Sequence, residues 1–330
     1  MSGPERLSVP APRPVRRRAT WGGSLLGPLA VLALLLLYNA FFTPNFLNAT
    51  TLNVNLTQVA TIVIVGVGMT LVIATGGIDL SVGALMAISG ALAPMLFGHP
   101  ILGSPVLGII LAFIVPVLVA GLFGLFNGGL ITRFGIQPFI ATLILFIAGR
   151  GIAQVFTGGN LQTFSNGGFQ YIGLGRPLGV PFQVILMVAI VALFAWILAR
   201  TVFGRYVLAV GGNESAARLA GVPVARVKLA VYGISGLLSG IAGLIVIAIN
   251  SSSDANQVGL NMELDAIAAV AVGGTPLTGG RATVVGTLLG ALIIQLIRYT
   301  LLAKGVPDAV ALVVKAAIIL AAVFFSRREG

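Results

Sequence analysis

The stretch Gly68–Gly90, GMTLVIATGGIDLSVGALMAISG, decides how this chain is read. An apolar run stops at Gly76 and Gly77, a single carboxylate follows at Asp79, and the apolar run then resumes. No charged residue occurs from Ala19 to Ile78, and none from Leu80 to Thr132. Two adjacent glycines break a helix, because glycine is among the poorest helix formers. Asp79 can then cap the helix that follows, its carboxylate accepting a backbone N–H left free at the helix start.

The surroundings of this break are those of a membrane protein. Of the 330 residues 58% are hydrophobic and 8% charged, whereas soluble domains carry about a quarter charged residues. A helix crosses the hydrocarbon core with about 20 mostly apolar residues. Such segments are expected near residues 24–42, 54–75, 79–97, 105–131, 137–155, 180–199, 228–248, 263–277, 283–302 and 308–325. The expected fold is therefore an all-α polytopic membrane protein of about ten transmembrane helices. The Pro- and Arg-rich residues 1–22 form an expected disordered basic tail. Residues 23–326 form one transmembrane domain with a cytoplasmic loop at about 200–228, and 327–330 a second short tail. The triple arginine Arg16–Arg18 ahead of an apolar run resembles a signal peptide. That run is as long as a full span and has no clear small-residue cleavage site, so it reads as an uncleaved first helix.

The net charge of +11 sorts by topology. With the N-terminus inside, all but five of the 19 basic residues fall on cytoplasmic segments, which favours both termini cytoplasmic. The five are Arg150, Arg176, Arg298, Lys304 and Lys315. Basic residues spread between apolar spans do not make a nucleic-acid surface. Without cysteine, and with His99 as the single histidine in the turn FGHPILGSP, the chain offers no metal cluster and no histidine-dependent triad.

Ionisable groups at membrane depth are costly and mark functional candidates. Of the eight acids, Asp79, Glu263 and Asp265 lie near or inside the membrane. Besides capping, Asp79 with Ser81 has a second reading: the break lies in a translocation path, where half-helix ends meet a polyhydroxylated or cationic substrate. Glu263 and Asp265 open an apolar run, the placement that favours acids at a helix N-terminus. Lys315, inside AVALVVKAAIILAAVFF, needs an acid partner from another helix or a water-filled cavity. Many of the 44 glycines sit inside spans, as in VAGLFGLFNGGL and GISGLLSGIAGL, where small residues let helices approach closely. TGGIDLSVGAL from Thr75 and TGGRATVVGTL from Thr278 hint at an internal repeat. No phosphate loop of the form G-x-x-x-x-G-K-[ST] is present, so any ATP that drives the protein is hydrolysed by another chain.

Four stretches then carry a resemblance: residues 68–90, GLFNGGLITRFGIQPFIATLILFIAGRGIAQ (124–154), VGGNESAARLAGV (210–222) and ELDAIAAVAVGGTPLTGGRATVVGTLLGALIIQ (263–295). In order and spacing they resemble the permease subunit of bacterial ABC importers for monosaccharides, of ribose, xylose or galactofuranose type. The resemblance implies an ABC importer permease fold in the bacterial inner membrane. It also implies a second permease, identical or related, a cytoplasmic ATPase that uses ATP and Mg, and a periplasmic sugar-binding protein. By the same resemblance Gly211, Gly212, Asn213, Ala216, Ala217, Arg218 and Gly221 couple to the ATPase. Asn127, Gln137, Thr142, Gln154 and Asn250 are candidates for contacts along the path, each equally suited to a hydrogen bond between helices. Two other readings stay open: an ion-coupled secondary transporter using Asp79, Glu263 or Lys315, and an ABC permease for another solute such as a branched-chain amino acid.

Overall fold

The computed structural model describes residues 23–97, 104–307, 309–314 and 316–317. The N-terminal tail, His99, Asp308, Lys315, the C-terminal tail and most of the last expected span lie outside the described residues.

The chain runs α1 (Gly23–Phe42), α2 (Ala49–Ala74), α3 (Val82–Phe97), α4 (Pro105–Arg133) and α5 (Pro138–Thr157). There follow β1 (Gln162–Thr163), α6 (Gly167–Leu174), α7 (Phe182–Arg200), α8 (Val202–Gly212) and α9 (Glu214–Leu219). The rest is α10 (Val224–Asn250), β2 (Ser252–Ser253), α11 (Met262–Val272) and α12 (Val284–Ala303). Among the described residues seven helices, α1, α2, α4, α5, α7, α10 and α12, are long and apolar enough to cross a membrane.

A helix that is apolar on every side belongs in the interior. α2 is such a helix, buried on all faces from Val59 to Ala74. It packs on α10, α11, α12 and α7, while α10 also carries α3 and α4. The α4–α10 contact depends on missing side chains: a Cβ at Gly124 would stand 2.3 Å from the Tyr232 carbonyl oxygen, and one at Gly236 would stand 2.4 Å from that of Ala120. Without a hydrophobic force between helices in lipid, this close backbone approach supplies the packing. α1 lies against α12, where Asn39 Nδ2 donates to Thr300 Oγ1 at 2.8 Å and Lys304 donates to the Phe42 carbonyl.

Two expected spans differ from the observed ones. The span expected from residue 79 begins at Val82, because Gly76 at φ +80° ends α2 and residues 77–81 form a turn. The span expected at 263–277 is the 11-residue α11, about 16 Å long at 1.5 Å per residue and so about half a hydrocarbon core. It stops because Gly274 takes φ +86° and Gly273 presses on Gly286, where a Cβ would meet the carbonyl carbon at 2.4 Å. The polar connection between α5 and α7 carries structure of its own. β1 pairs antiparallel with β2, and the buried Phe169 of α6 sits with ring centroids 4.8 Å from Phe97 and 5.1 Å from Phe113.

The glycine contact makes a paired prediction. Gly236→Val is expected to destabilise the protein by about 1–3 kcal/mol, the usual range for overpacking. Gly129→Val, where nothing lies within 4 Å of an added Cβ, is expected to leave stability unchanged. Thermal unfolding in detergent checks this, and equal losses in both variants would contradict the packing account.

Candidate functional site

The break between α2 and α3 is closed by side chains. A bare backbone at membrane depth survives only where protein or cavity water satisfies it. Here the Ile78 carbonyl accepts hydroxyls from Tyr232 of α10 and Thr142 of α5, each at 3.4 Å. Asp79 is fully buried. Its Oδ1 accepts the Ser81 N–H at 3.0 Å and the Ser81 hydroxyl at 2.6 Å, and its Oδ2 accepts the Ser235 hydroxyl at 2.7 Å. Asn127 Nδ2 of α4 donates to Ser81 Oγ at 3.0 Å. One carboxylate thus joins the break, α10 and, through Ser81, α4.

A second break, between α11 and α12, meets the first. The Gly280 N–H donates to the Ala74 carbonyl at 3.0 Å, and a Cβ at Gly279 would stand 2.8 Å from the Gly76 nitrogen. These are the TGG segments of the two repeat-like stretches at Thr75 and Thr278. Into the same point comes the end of α8. A Cβ at Gly211 would lie 1.8 Å from the Ala74 carbonyl oxygen and 2.6 Å from the Gly280 nitrogen. Glycine alone permits this contact, so the ends of α2 and α8 and the loop before α12 form one joint.

From the joint the chain turns outward into α9. Asn213 caps α9 by accepting the Ala216 N–H at 2.9 Å. Gly221, at φ +81°, ends it: the Val222 N–H reaches the Ala217 carbonyl and the Gly221 N–H that of Arg218. This is a Schellman closure, which needs a left-handed residue after the helix. Ala217 is buried while Gly212, Ala216 and Arg218 are exposed, and Leu219 is 90% exposed. Glu214 accepts Lys228 Nζ at 2.6 Å and Arg218 at 3.2 Å. The Lys228 hydrogen bond, more than the attraction of Arg218, holds the Glu214 carboxyl below the ordinary carboxylate range. Since the folded-state value is depressed, the pair stabilises α9 at neutral pH, and that contribution is lost as pH falls through the folded value. Solvent screening keeps it small.

The other sequence candidates are dispersed. Glu263 is buried in the first turn of α11, and its Oε2 would stand 2.7 Å from a Cβ at Gly83, placing the carboxylate at the start of α3. Asp265 is buried in the same turn. Gln137 is exposed at the start of α5, Gln154 donates to Asn256 Oδ1 at 2.7 Å, and Asn250 is exposed at the end of α10. Lys315 lies outside the described residues. Ser235 and Arg150 belong with the sites although sequence reasoning did not select them. Ser235 lies in the glycine-rich packing stretch GISGLLSG, and Arg150 carries no local signal beyond its charge. Arg150 Nη1 in fact clamps the carbonyls of Ala255 at 2.7 Å and Val258 at 2.6 Å.

Comparison with known proteins adds three findings. Residues 52–323 match the family model described as the branched-chain amino acid transport system permease component. The ribose import permease protein of Escherichia coli K12 is 40% identical, over 93% of this chain and 93% of its own, and that of Bacillus subtilis 42% identical over 92% and 93%. The galactofuranose transporter permease protein of Escherichia coli K12 is 41% identical over 95% of this chain and 92% of its own. No solved structure matches.

The Asp79 geometry separates two substitutions. Asp79→Asn keeps Oδ1 as an acceptor and offers its amide to Ser235, whose hydroxyl can accept as well as donate. Asp79→Leu strands buried donors at about 1–3 kcal/mol each. Thermal unfolding is expected to show Asn mild and Leu severe. Equal and complete loss in both would show that the charge itself is required.

Proposed function

The chain belongs to the family of branched-chain amino acid transport system permease components, and we propose that it is the membrane-spanning subunit of an ATP-driven importer moving a monosaccharide, a pentose or hexose, across the bacterial inner membrane. The observation that carries this reading is near-full-length identity of about 40% to permeases named for ribose and galactofuranose. Although the family takes its description from branched-chain amino acids, the relatives point to sugar as the cargo. Membership of an importer-permease family also sets aside the ion-coupled reading, in which no separate ATPase acts.

On this reading the chain is one permease domain over residues 23–326, crossing the membrane about ten times with both termini cytoplasmic. It pairs with an identical or related permease, with a cytoplasmic ATPase and with a periplasmic sugar-binding protein. ATP and magnesium belong to the ATPase. The α8–α9 segment is the coupling element. Leu219 and Arg218 project from α9 where a partner can meet them, and Gly212, Asn213, Ala216 and Gly221 shape that surface. Ala217 seats α9 on the bundle, and Gly211 leads to the joint.

Transport then follows from the geometry. A push on α9 by the closing ATPase pair is delivered through Gly211 to Ala74 and Gly280, the ends of both helix breaks. Because the breaks interrupt α2–α3 and α11–α12, the shorter helices α3 and α11 can swing while the longer α2 and α12 stay packed. That is alternating access with hinges at Gly76 and Gly280. Asp79, Ser81, Asn127 and Thr142 hold the first hinge in register, Glu263 and Asp265 open the half-helix α11, and the more accessible amides of Gln137, Gln154 and Asn250 remain to meet passing sugar.

The coupling assignment is tested by uptake of radiolabelled ribose and galactofuranose in cells that depend on this chain. Arg218→Glu and Leu219→Asp are expected to lower uptake at least about tenfold, the loss of one interfacial contact worth about 1.4 kcal/mol or more. Membrane insertion and detergent monodispersity should be retained. Normal uptake in both variants would sink the assignment.

A further inference from the structure

We propose that a crevice between α2, α6 and α7 is a weak subsite for a neutral polyhydroxylated ligand, a monosaccharide, held by a single permease chain at its outer end. The inference rests on the reading of the chain as a sugar permease and goes beyond it, since neither the helix breaks nor the coupling joint supplies a place for the sugar.

The crevice has a volume of about 210 Å³, room for about seven waters at about 30 Å³ each and so for a ligand on the order of ten heavy atoms. Its polar groups are Thr57 and Gln58 from α2, Gln183 from α7 and Arg176 from the turn after α6. Val54, Pro181 and Ile249 supply apolar wall. Leu174 and Arg176 at the rim are exposed.

Hydrogen bonding inside the crevice is incomplete in one direction. Gln183 is 1% exposed. Its Nε2 donates to Thr57 Oγ1 at 3.0 Å and to the Gly173 carbonyl at 3.2 Å, whereas its Oε1 has no protein donor. An unsatisfied buried acceptor is costly, and natural proteins seldom keep one without a use. Thr57, having accepted from Gln183, keeps its own proton to give. Gln58 is fixed from behind, because Gln295 Nε2 donates to Gln58 Oε1 at 2.6 Å and to Asn55 Oδ1 at 3.2 Å. With its oxygen engaged, the Gln58 amide has only its N–H groups left to give.

The crevice therefore offers two kinds of donor, a hydroxyl and an amide, beside one buried acceptor. Sugar hydroxyls donate and accept at once and match that alternation. A phosphate or carboxylate has no proton for the Gln183 oxygen, and Arg176 alone provides cationic charge. Among the described residues no carboxylate lines the crevice to hold a cation. A few fixed polar groups set in an apolar wall is the common plan of a small-molecule site. Weak binding suits a transport subunit, which has to release what it takes.

The test uses the purified full chain in lipid nanodiscs, with saturation-transfer difference NMR on D-ribose, D-galactose and L-arabinose and with L-leucine as the non-sugar control. At least one sugar is expected to give a saturable signal at millimolar concentration, and leucine none. Gln183→Leu and, separately, Thr57→Val are each expected to weaken binding about fivefold or more, as loss of a hydrogen bond worth about 1 kcal/mol does. Leu178→Ala, at a fully exposed side chain outside the crevice, is expected to stay within about twofold. Thermal unfolding reports whether each variant is folded, and two independent variants keep the result decisive if one is not. A saturable sugar signal unchanged in both folded variants would overturn the subsite. So would no sugar signal from a chain that supports sugar uptake in cells, leaving the transport reading intact. Native mass spectrometry that finds a lipid retained by the wild type, lost in Gln183→Leu, with no sugar signal, would assign the crevice to lipid instead. Leucine binding together with absent sugar uptake would overturn both readings.

Discussion

Both oxygens of Asp79 have to be filled by donors, because a carboxyl taken from water into a helix bundle is tolerated only when its acceptors are satisfied. Ser81 and Ser235 fill them. Meeting that demand ties the turn after α2 to α10, a helix 156 residues further along the chain. The tie in turn fixes where Ile78 presents its carbonyl, and Tyr232 and Thr142 complete the closure. A helix break that would otherwise expose bare backbone in the membrane becomes a defined corner, and α3 leaves it in one direction only.

From that corner the geometry reaches the exposed α8–α9 segment in one step. The last carbonyl of α2, at Ala74, accepts the Gly280 N–H of the second break and lies in van der Waals contact with Gly211 of α8. Three glycine-dependent backbones share one point, and no flexible side chain separates them to absorb a displacement. Packed interiors move between discrete arrangements rather than deforming smoothly. A rigid joint of this kind is what a transport subunit needs if work done on a surface helix is to open a path inside the bundle.

Much of this was legible in sequence, and the reasons for the rest are physical. Long apolar runs report spans directly, so α2, α4, α5, α7, α10 and α12 were expected close to where they stand. Paired glycines at Gly76 and Gly77 announced the first break. The 11-residue length of α11 was not legible, because apolar composition continues past Gly274 while the helix does not. Nor was α6, an eight-residue helix that begins with two glycines and is held by burial of Phe169 rather than by propensity. The partners of Asp79, the clamp of Arg150 and the amide chain from Asn55 through Gln295 to Gln58 all join residues far apart in sequence. No spacing or local pattern could have brought them together. The similarity of the two TGG segments gained meaning only when their backbones were found in contact.

The central claim is that this chain is a permease driven by a separate ATPase through α8 and α9. It is tested most directly by expressing the tagged chain in its native cells, extracting it in mild detergent and identifying the co-purifying proteins by mass spectrometry. The account predicts an ATPase carrying a phosphate loop, retained by the wild type and lost with Arg218→Glu. Isolation of the chain without any ATPase, repeatedly and in gentle conditions, would contradict it.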